Sequence, residues 1–415
     1  MKQGLAIWIH LRYEATPVLA GFFEHVKNTE TVGKGRFTYD PSYLERHDAL
    51  ALSPSIGLSD QAYETSANGG IFGFLLDAGP NAWGQQLLDA SQPGLETYDY
   101  LRLAQGHRTG ALSLSNSQDT LSVSPKTIQL SDLEVIQTAI KRFEQGLPID
   151  PQKYALLAAS SSVGGAKPKV VIEHDDKLWI AKFVSQKDPP QQPPLPVLEH
   201  AMLTLSKLCG LQTAASRLIE VQGEPVLLVE RFDAEVIDNG DQRSIHKMRY
   251  ASCRSALEET VSTYSGSYPL LARQMKLWSE KYRADQRELF KRMVFNIAIS
   301  NTDDHHLNHG FIDTDEVMGS TQLRLSPNFD LTPIVPTTQR VYQAMDVGQE
   351  GPISTFDNAL SALESFGLSD LEGLSSAKEV ATLVRENWRE SLKAVGVDQT
   401  GIETMRRCFE RLEIP

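Results

Sequence analysis

The hydrophobic pattern changes character near residue 250, and that change limits the folds open to the chain. Before it, apolar residues come in short runs of strand length: LAIWIHL, GRFTYD, ALSLS, KPKVVIEH, KLWIAKFV, SRLIEV and PVLLVERF. After it, long segments with helical spacing dominate, including DQRELFKRMVFNIAIS and AKEVATLVRENWRESLKAV. A β-rich front followed by a helical back half predicts an α+β chain in two lobes.

Local punctuation divides the chain further. Residues 1–125 are rich in Gly, Pro, Ser and aromatics and read as a small mixed subdomain with one helix near WGQQLLDA. The polar stretch SNSQDTLSVSPKT marks a boundary. Ser131 and Glu134 have the spacing of a capping box, predicting the start of the amphipathic helix SDLEVIQTAIKRFEQG, which stops at Gly146 with Pro148 beyond. The runs KPKVVIEH and KLWIAKFV are joined by His-Asp-Asp, the turn chemistry of a hairpin. The proline-rich DPPQQPPLP is an exposed loop leading to a helix over VLEHAMLTLSKLCG that ends at Gly210. The expected organisation is an N-terminal subdomain at 1–125, a small β-rich lobe at 126–235 and a helical lobe at 236–415.

Composition excludes several functions. A chain of 415 residues with 41% hydrophobic and 22% charged residues buries an ordinary globular core. The formal net charge of −13 opposes broad binding to a nucleic-acid backbone. Cys209, Cys253 and Cys408 are scattered, without the spacing of a zinc site or a disulfide framework, and are expected to be buried free thiols. His10, Arg12 and Glu14 interrupt the apolar amino end too early for a signal sequence or a membrane span, so a cytoplasmic protein with no membrane contact is expected.

The chemistry concentrates in FNIAISNTDDHHLNHGFI, followed about twenty residues on by SPNFDLTP. Asp303 and Asn308 have the D-x-x-x-x-N spacing of a kinase catalytic loop, and Asp330 stands where a second, metal-binding aspartate would follow. Phosphoryl transfer needs a carboxylate to orient and deprotonate a hydroxyl, and oxygen ligands to hold Mg²⁺ against the phosphates. Asp303 suits the first role; Asn308 and Asp330 suit the second. Upstream, the loop SSSVGGAKPK offers Ser162, Val163, Gly164, Gly165 and Ala166, small residues whose backbone N–H groups can approach phosphates, with Lys167 and Lys169 nearby. The loop matches neither G-x-x-x-x-G-K-[ST] nor G-x-G-x-x-G.

Lys182 ends the strand WIAK in the manner of the kinase V-A-I-K lysine, and Glu199 opens the next helix at a distance suited to an ion pair with it. PVLLVERFD reads as a strand entering a hinge, where backbone groups near Glu230 and Phe232 meet an adenine edge. Singly, each feature has an ordinary structural explanation: a turn, an edge lysine, a helix-start glutamate, a buried strand. Their occurrence in one order points to an ATP-dependent kinase. The histidines beside Asp303 lack the spacing of a zinc helix. His305 is assigned to orienting the catalytic loop, and His306 and His309 to surface or packing positions.

These segments, SSSVGGAKPK, WIAKF, LEHAMLTLSKLCGL, VERFD, FNIAISNTDDHHLNHGF and LSPNFDLTP, resemble in order the motifs of the HipA family of toxin serine/threonine kinases. FTYDPSYL, ALSPSIGL and NAWGQQLLD resemble that family's N-terminal subdomain, so the likeness spans nearly the whole chain. It implies a kinase-like two-lobe fold with a β-rich N-terminal subdomain and an all-helical C-lobe. It also implies ATP- and Mg²⁺-dependent phosphorylation of protein serine or threonine, with targets such as an aminoacyl-tRNA synthetase. On this resemblance Asp303 is the base, Asn308 and Asp330 bind Mg²⁺, Lys182 contacts phosphates, and Glu230 and Phe232 flank adenine. Ser162 matches a serine that the family phosphorylates in itself, with Ser160 and Ser161 adjacent.

The resemblance further implies a HipB-like helix-turn-helix antitoxin as partner, with DNA met only through it. The chain departs from the family pattern after the hinge, where it reads IHKMRYASCR, and in the loop, which reads GGAKPK. A small-molecule phosphotransferase and a non-catalytic antitoxin-binding module are the alternatives.

Overall fold

The structure is a computed structural model that describes residues 2–11, 14, 16–26, 33–104, 107–116, 128–159, 165–238, 243–257, 266–313 and 323–415. They form two compact units: Met1–Ser185 with Glu230–Ser262 and Phe311–Leu323, and Gln186–Val229 with Thr263–Gly310 and Arg324–Pro415.

The first unit opens with an antiparallel sheet whose strands lie in the order Tyr63–Thr65, Lys34–Tyr39, Val18–Val26, Lys2–Ile9, Leu112–Ser115. Leu5 pairs with Phe23 and Phe23 with Phe37, so one face presents a row of large apolar side chains. Phe72, Phe74, Leu75, Tyr98 and Leu101 from the following helical turns close over it. The ALSPSIGL segment has little regular structure of its own. It is held by two buried phenols: Tyr39 Oη donates to Ile56 O at 2.8 Å and accepts from Leu52 N at 3.0 Å, and Tyr43 Oη does the same with Leu50 at 2.8 and 2.9 Å.

Further along this unit, the helix Leu133–Glu144 begins one residue later than its Ser131–Glu134 spacing predicts. The capping contact is made by the N–H of Gln129 to the Asp132 carboxylate at 2.9 Å, because a short 3₁₀ turn, Leu130–Asp132, precedes the helix. The strands Lys169–His174 and Lys177–Phe183 form the expected hairpin. Its two-residue turn puts Asp175 and Asp176 at φ 51° and 54°, the left-handed pair of a type I′ turn, which aspartate tolerates better than most residues. Val171, Leu178 and Ile180 line one face of this hairpin and pack under a second one, Ala234–Asp238 with Arg243–Lys247.

The second unit is mainly helical. The hairpin Ser216–Val221/Glu224–Glu230 follows the helix Leu195–Leu208 and turns at Gln222–Gly223, again with both central φ values positive. The helices Tyr268–Trp278, Tyr282–Ala298, Asp370–Ala394 and Gln399–Glu410 build the core. Ala377, Val380, Ala381, Val384, Trp388 and Leu392 recur at helical spacing and are all buried, and Trp388 stacks on Phe409 at 4.6 Å. Ser369 and Glu372 cap the long helix reciprocally. Helices dominate after residue 250 as the pattern predicts, with short strands such as Gly310–Ile312 and Arg324–Leu325 between them. All three cysteines are buried free thiols. Among the described residues no helix is long and apolar enough to cross a membrane.

Candidate active site

In the second unit the site grows out of the end of the helix Tyr282–Ala298. Its last six residues, Met293–Ala298, are buried and apolar apart from Asn296, which is fully buried as well. Ser300 then reverses the chain at φ 56°, its hydroxyl donating to Cys408 O at 2.7 Å and its carbonyl accepting from Ile334 N at 3.0 Å. The loop that follows is organised around Asp304. One oxygen of this buried carboxylate, Oδ2, accepts from Asn296 Nδ2 at 2.7 Å, from His309 Nε2 at 2.8 Å and from the Tyr268 hydroxyl. Burial alone would raise the Asp304 pKa. The His309 ring beside it, with the bonds from His309 and Tyr268, outweighs burial and holds the group below the usual carboxylate range.

The neighbouring aspartate is its opposite. Asp303 is exposed and makes no hydrogen bond among the described residues. Its pKa is raised, first by the partial loss of hydration around it and then by the nearby charges of Asp330 and Asp304, with His305 opposing. Asn308 is buried, its backbone N–H bonded to His305 O at 2.8 Å, while its side-chain amide has no partner among the described residues. Asp330 sits at φ 59° in a segment pinned by Asn328, whose N–H donates to Gln212 O at 2.7 Å. Asn301 links the two loops: its Nδ2 donates to Asn296 Oδ1 at 3.0 Å and reaches Asp330 O at 3.5 Å. A chain of buried amides thus runs from the Asp304 carboxylate to the backbone of Asp330. His305 is half-buried, with Nδ1 enclosed and unbonded, and His306 is half-buried beside it. Glu199 is buried in the first turns of the helix Leu195–Leu208.

In the first unit, Lys182 is half-buried near the end of the strand Lys177–Phe183 and lies directly across the ladder from Lys169. Opposed residues of an antiparallel pair share a face, so both lysine side chains leave the ladder on the same side. Lys169 is buried, and its Nζ occupies the space a side chain on Gly165 would need, 2.3 Å from the position of such a Cβ. Gly165 has φ +97°, a conformation that favours glycine, and its carbonyl accepts from Trp83 N at 3.3 Å. Ala166 is exposed beside it. Ser160, Ser161, Ser162, Val163 and Gly164 lie outside the described residues.

At the far end of the same strand, Arg231 N–H donates to Leu178 O at 2.9 Å, four residues from Lys182. The Glu230 side chain is engaged by Lys177 Nζ at 2.8 and 2.9 Å. Phe232 is half-buried and packs on Tyr250 at 6.2 Å.

The family description "HipA-like C-terminal domain" matches residues 161–393, more than half of the chain, and "HipA N-terminal domain" matches residues 23–115. The chain belongs to the HipA family. Two curated relatives carry the names "Putative kinase", from Haemophilus influenzae, and "Putative kinase Y4mE", from Sinorhizobium fredii. The first is 23% identical over 220 residues, 47% of this chain and 60% of that protein. The second is 23% identical over 312 residues, 71% of each. Among solved structures, HipA of Shewanella oneidensis MR-1, determined with HipB and its operator DNA, superposes with a TM-score of 0.70 at 17% identity. The match covers 98% of this chain and 95% of that one. The fold is therefore that of HipA, a two-lobe kinase-like α+β fold.

Within this HipA-family site, the residues that hold the loops escaped the sequence reading. His309, assigned to surface or packing, is the histidine fixed to Asp304, and Tyr268, Asn296, Asn301 and Asp304 carry no motif of their own. A usable signal was present in the run MVFNIAISN, where an asparagine interrupts an otherwise apolar helix end. Arg231 and Asp233 of VERFD were also missed. They form a buried bidentate pair at 3.0 and 2.7 Å, and Arg231 Nη2 donates to Arg108 O at 2.9 Å while Gly110 N donates to Asp233 at 2.7 Å.

Proposed function

We propose that the chain is an ATP- and Mg²⁺-dependent protein serine/threonine kinase acting as the toxin of a toxin–antitoxin pair. The observation that carries this reading is the contrast between the two adjacent aspartates. Asp304 is consumed by buried hydrogen bonds that fix the loop, and Asp303 is left exposed, without a hydrogen bond among the described residues, and electrostatically coupled to Asp330. A carboxylate presented on a rigid loop is what deprotonation and positioning of an acceptor hydroxyl require. His305 helps keep Asp303 ionised, since its charge lowers the Asp303 pKa.

The donor set suits a hard cation. Asp330 and Asn308 offer oxygen atoms, and the buried Asn308 amide has no side-chain partner among the described residues. Mg²⁺ held by them would neutralise charge on the transferring phosphoryl group. Lys182 is assigned to phosphate oxygens, the loop of Ser162, Val163, Gly164, Gly165 and Ala166 to phosphate contact through backbone N–H groups, and the backbone about Glu230 and Phe232 to adenine. Ser162 is the proposed site of self-modification. An aminoacyl-tRNA synthetase is the expected class of target, and a HipB-like antitoxin the expected partner, through which the acidic chain meets DNA.

Peptide mass spectrometry after incubation with Mg-ATP, beside Asp330→Ala, tests the reading. Phosphate gained on the Ser160–Ser162 peptide by the wild type alone is the expected result. If neither that peptide nor any added protein gains phosphate, the chain is not a kinase.

A further inference from the structure

A groove of ≈ 480 Å³ on the second unit is lined by Thr338, Gln339, Arg406, Arg407, Glu410 and Arg411. Three arginines in six lining residues form a local positive site on a chain of net charge −13. Their existing contacts leave that charge largely unspent. Glu410, the one acidic lining residue, is already paired with Arg389. Arg406 bridges Glu403 at 2.8 Å, but both side chains are more than half exposed, so the pair is weak and exchangeable. Arg407 is exposed and has no partner among the described residues. Among the described residues Arg411 is bound by neutral oxygens, Ser354 O at 2.9 Å and Ser354 Oγ at 3.0 Å together with longer contacts to Ser300 Oγ and Ile297 O. A guanidinium held by neutral groups keeps its full charge for an anion.

A hydroxyl-bearing residue, Thr338, lines the same groove. Thr338 belongs to the exposed tip Thr337–Arg340, which follows buried Pro336, and its Oγ1 donates to Arg340 O at 2.7 Å. It lies eight residues beyond Asp330 in the same segment.

We infer that Thr338 is a phosphorylation site and that Arg406, Arg407 and Arg411 are the receptor for its phosphate. In the transfer, Thr338 Oγ1 bonds to the γ-phosphorus of ATP as the bond to the β-phosphate oxygen breaks. The hydroxyl proton passes to a base, and ADP leaves. A phosphothreonine brings about two negative charges and three strong acceptor oxygens to this groove, and arginine forks satisfy them in pairs. The phosphate joins the segment after Asp330 to the helix Gln399–Glu410, whose Cys408 carbonyl holds Ser300 at the head of the catalytic loop. Modification thereby stiffens the loops carrying Asp303 and Asp330. The inference rests on the proposed kinase activity only for the source of the phosphoryl group, which a second copy of the chain supplies.

The receptor is tested without that activity by placing phosphothreonine at 338 through genetic encoding in the full chain. The phosphate is then titrated by ³¹P NMR in the wild-type background and in Arg406→Ala/Arg407→Ala. Both arginines are exposed, so the double variant keeps the fold. The expected result is a second ionisation about one pH unit lower in the wild-type background than in the double variant, with a thermal midpoint raised by the phosphate only where the arginines remain. Titration identical to that of a free phosphothreonine peptide overturns the inference. In parallel, Mg-ATP treatment of wild type should add phosphate to Thr338 and not to its exposed neighbour Thr337. Transfer to other serines or threonines with Thr338 untouched also overturns it. Absence of any transfer defeats the proposed kinase instead, and the ³¹P titration still decides the receptor.

Discussion

Replacing either of two adjacent aspartates by asparagine should separate stability from chemistry. In Asp304→Asn the new amide oxygen can stand where Oδ2 stood and still accept from Asn296, His309 and Tyr268, but without charge. A hydrogen bond to an ionised acceptor contributes roughly 1 kcal/mol more than a neutral one, so three such bonds on one oxygen predict a loss of about 3 kcal/mol. The desolvation cost that the buried charge no longer incurs trims this figure, while the amide N–H₂ placed near the same donors adds to it. In Asp303→Asn no bond is lost and the side chain is exposed, so stability should stay within about 0.5 kcal/mol of wild type. With a urea m-value of about 3 kcal/mol/M, Asp304→Asn shifts the unfolding midpoint of the second unit down by about 1 M, and Asp303→Asn leaves it in place. Phosphoryl transfer behaves the other way for the exposed residue: Asp303→Asn should lose two or more orders of magnitude, roughly 3 kcal/mol of barrier. Equal midpoints for Asp304→Asn and wild type, or equal destabilisation by both substitutions, would refute the division of labour.

Other perturbations read other parts of the structure. Lys182→Met should raise the KM for ATP about tenfold or more with the thermal midpoint unchanged; unchanged KM removes Lys182 from the phosphate site. Arg231→Ala strands the buried Asp233 carboxylate and should cost about 3–5 kcal/mol in denaturant titrations, whereas replacing both members by apolar residues should cost much less. His107 has its pKa pushed down to about 3, chiefly by burial and then by the charges of Arg231 and Lys247. The unfolded chain therefore binds a proton that the folded chain refuses between about pH 6.5 and 3, so stability is full above that window. It falls through it by up to about 1.4 kcal/mol per pH unit. His107→Gln should flatten this slope in denaturation midpoints measured from pH 7 to 4, and an unaltered slope would exclude His107 as its source.

What could be read in the sequence was what local chemistry decides. The hairpin at Asp175–Asp176 was legible because two consecutive aspartates tolerate positive φ. Asp303, Asn308 and Asp330 drew notice through their spacing along one loop and its successor, and the structure places Asp303 exposed, Asn308 buried and Asp330 at φ 59°. The helix start predicted by Ser131 as cap differs by one residue because a 3₁₀ turn, Leu130–Asp132, precedes the helix. Asp304 and His309 could not be told from their neighbours for a different reason. Which of two aspartates or three histidines is buried depends on Tyr268 and Asn296, which reach them from two other helices. The Arg231–Asp233 pair is hidden in the same way, since its remaining partners lie more than a hundred residues earlier, at Arg108 and Gly110.

The hydrogen bond from Ser300 to the Cys408 carbonyl also sets the tolerance of the chain to editing at its far end. An expression variant trimmed before the helix Gln399–Glu410 would keep every motif residue and much of the core. It would still lose the strut that holds Ser300, where the loop carrying Asp303 and Asp304 begins. A bulky fusion that bends this helix would act at the same point. Forms of the protein shortened at this helix are therefore poor guides to its activity.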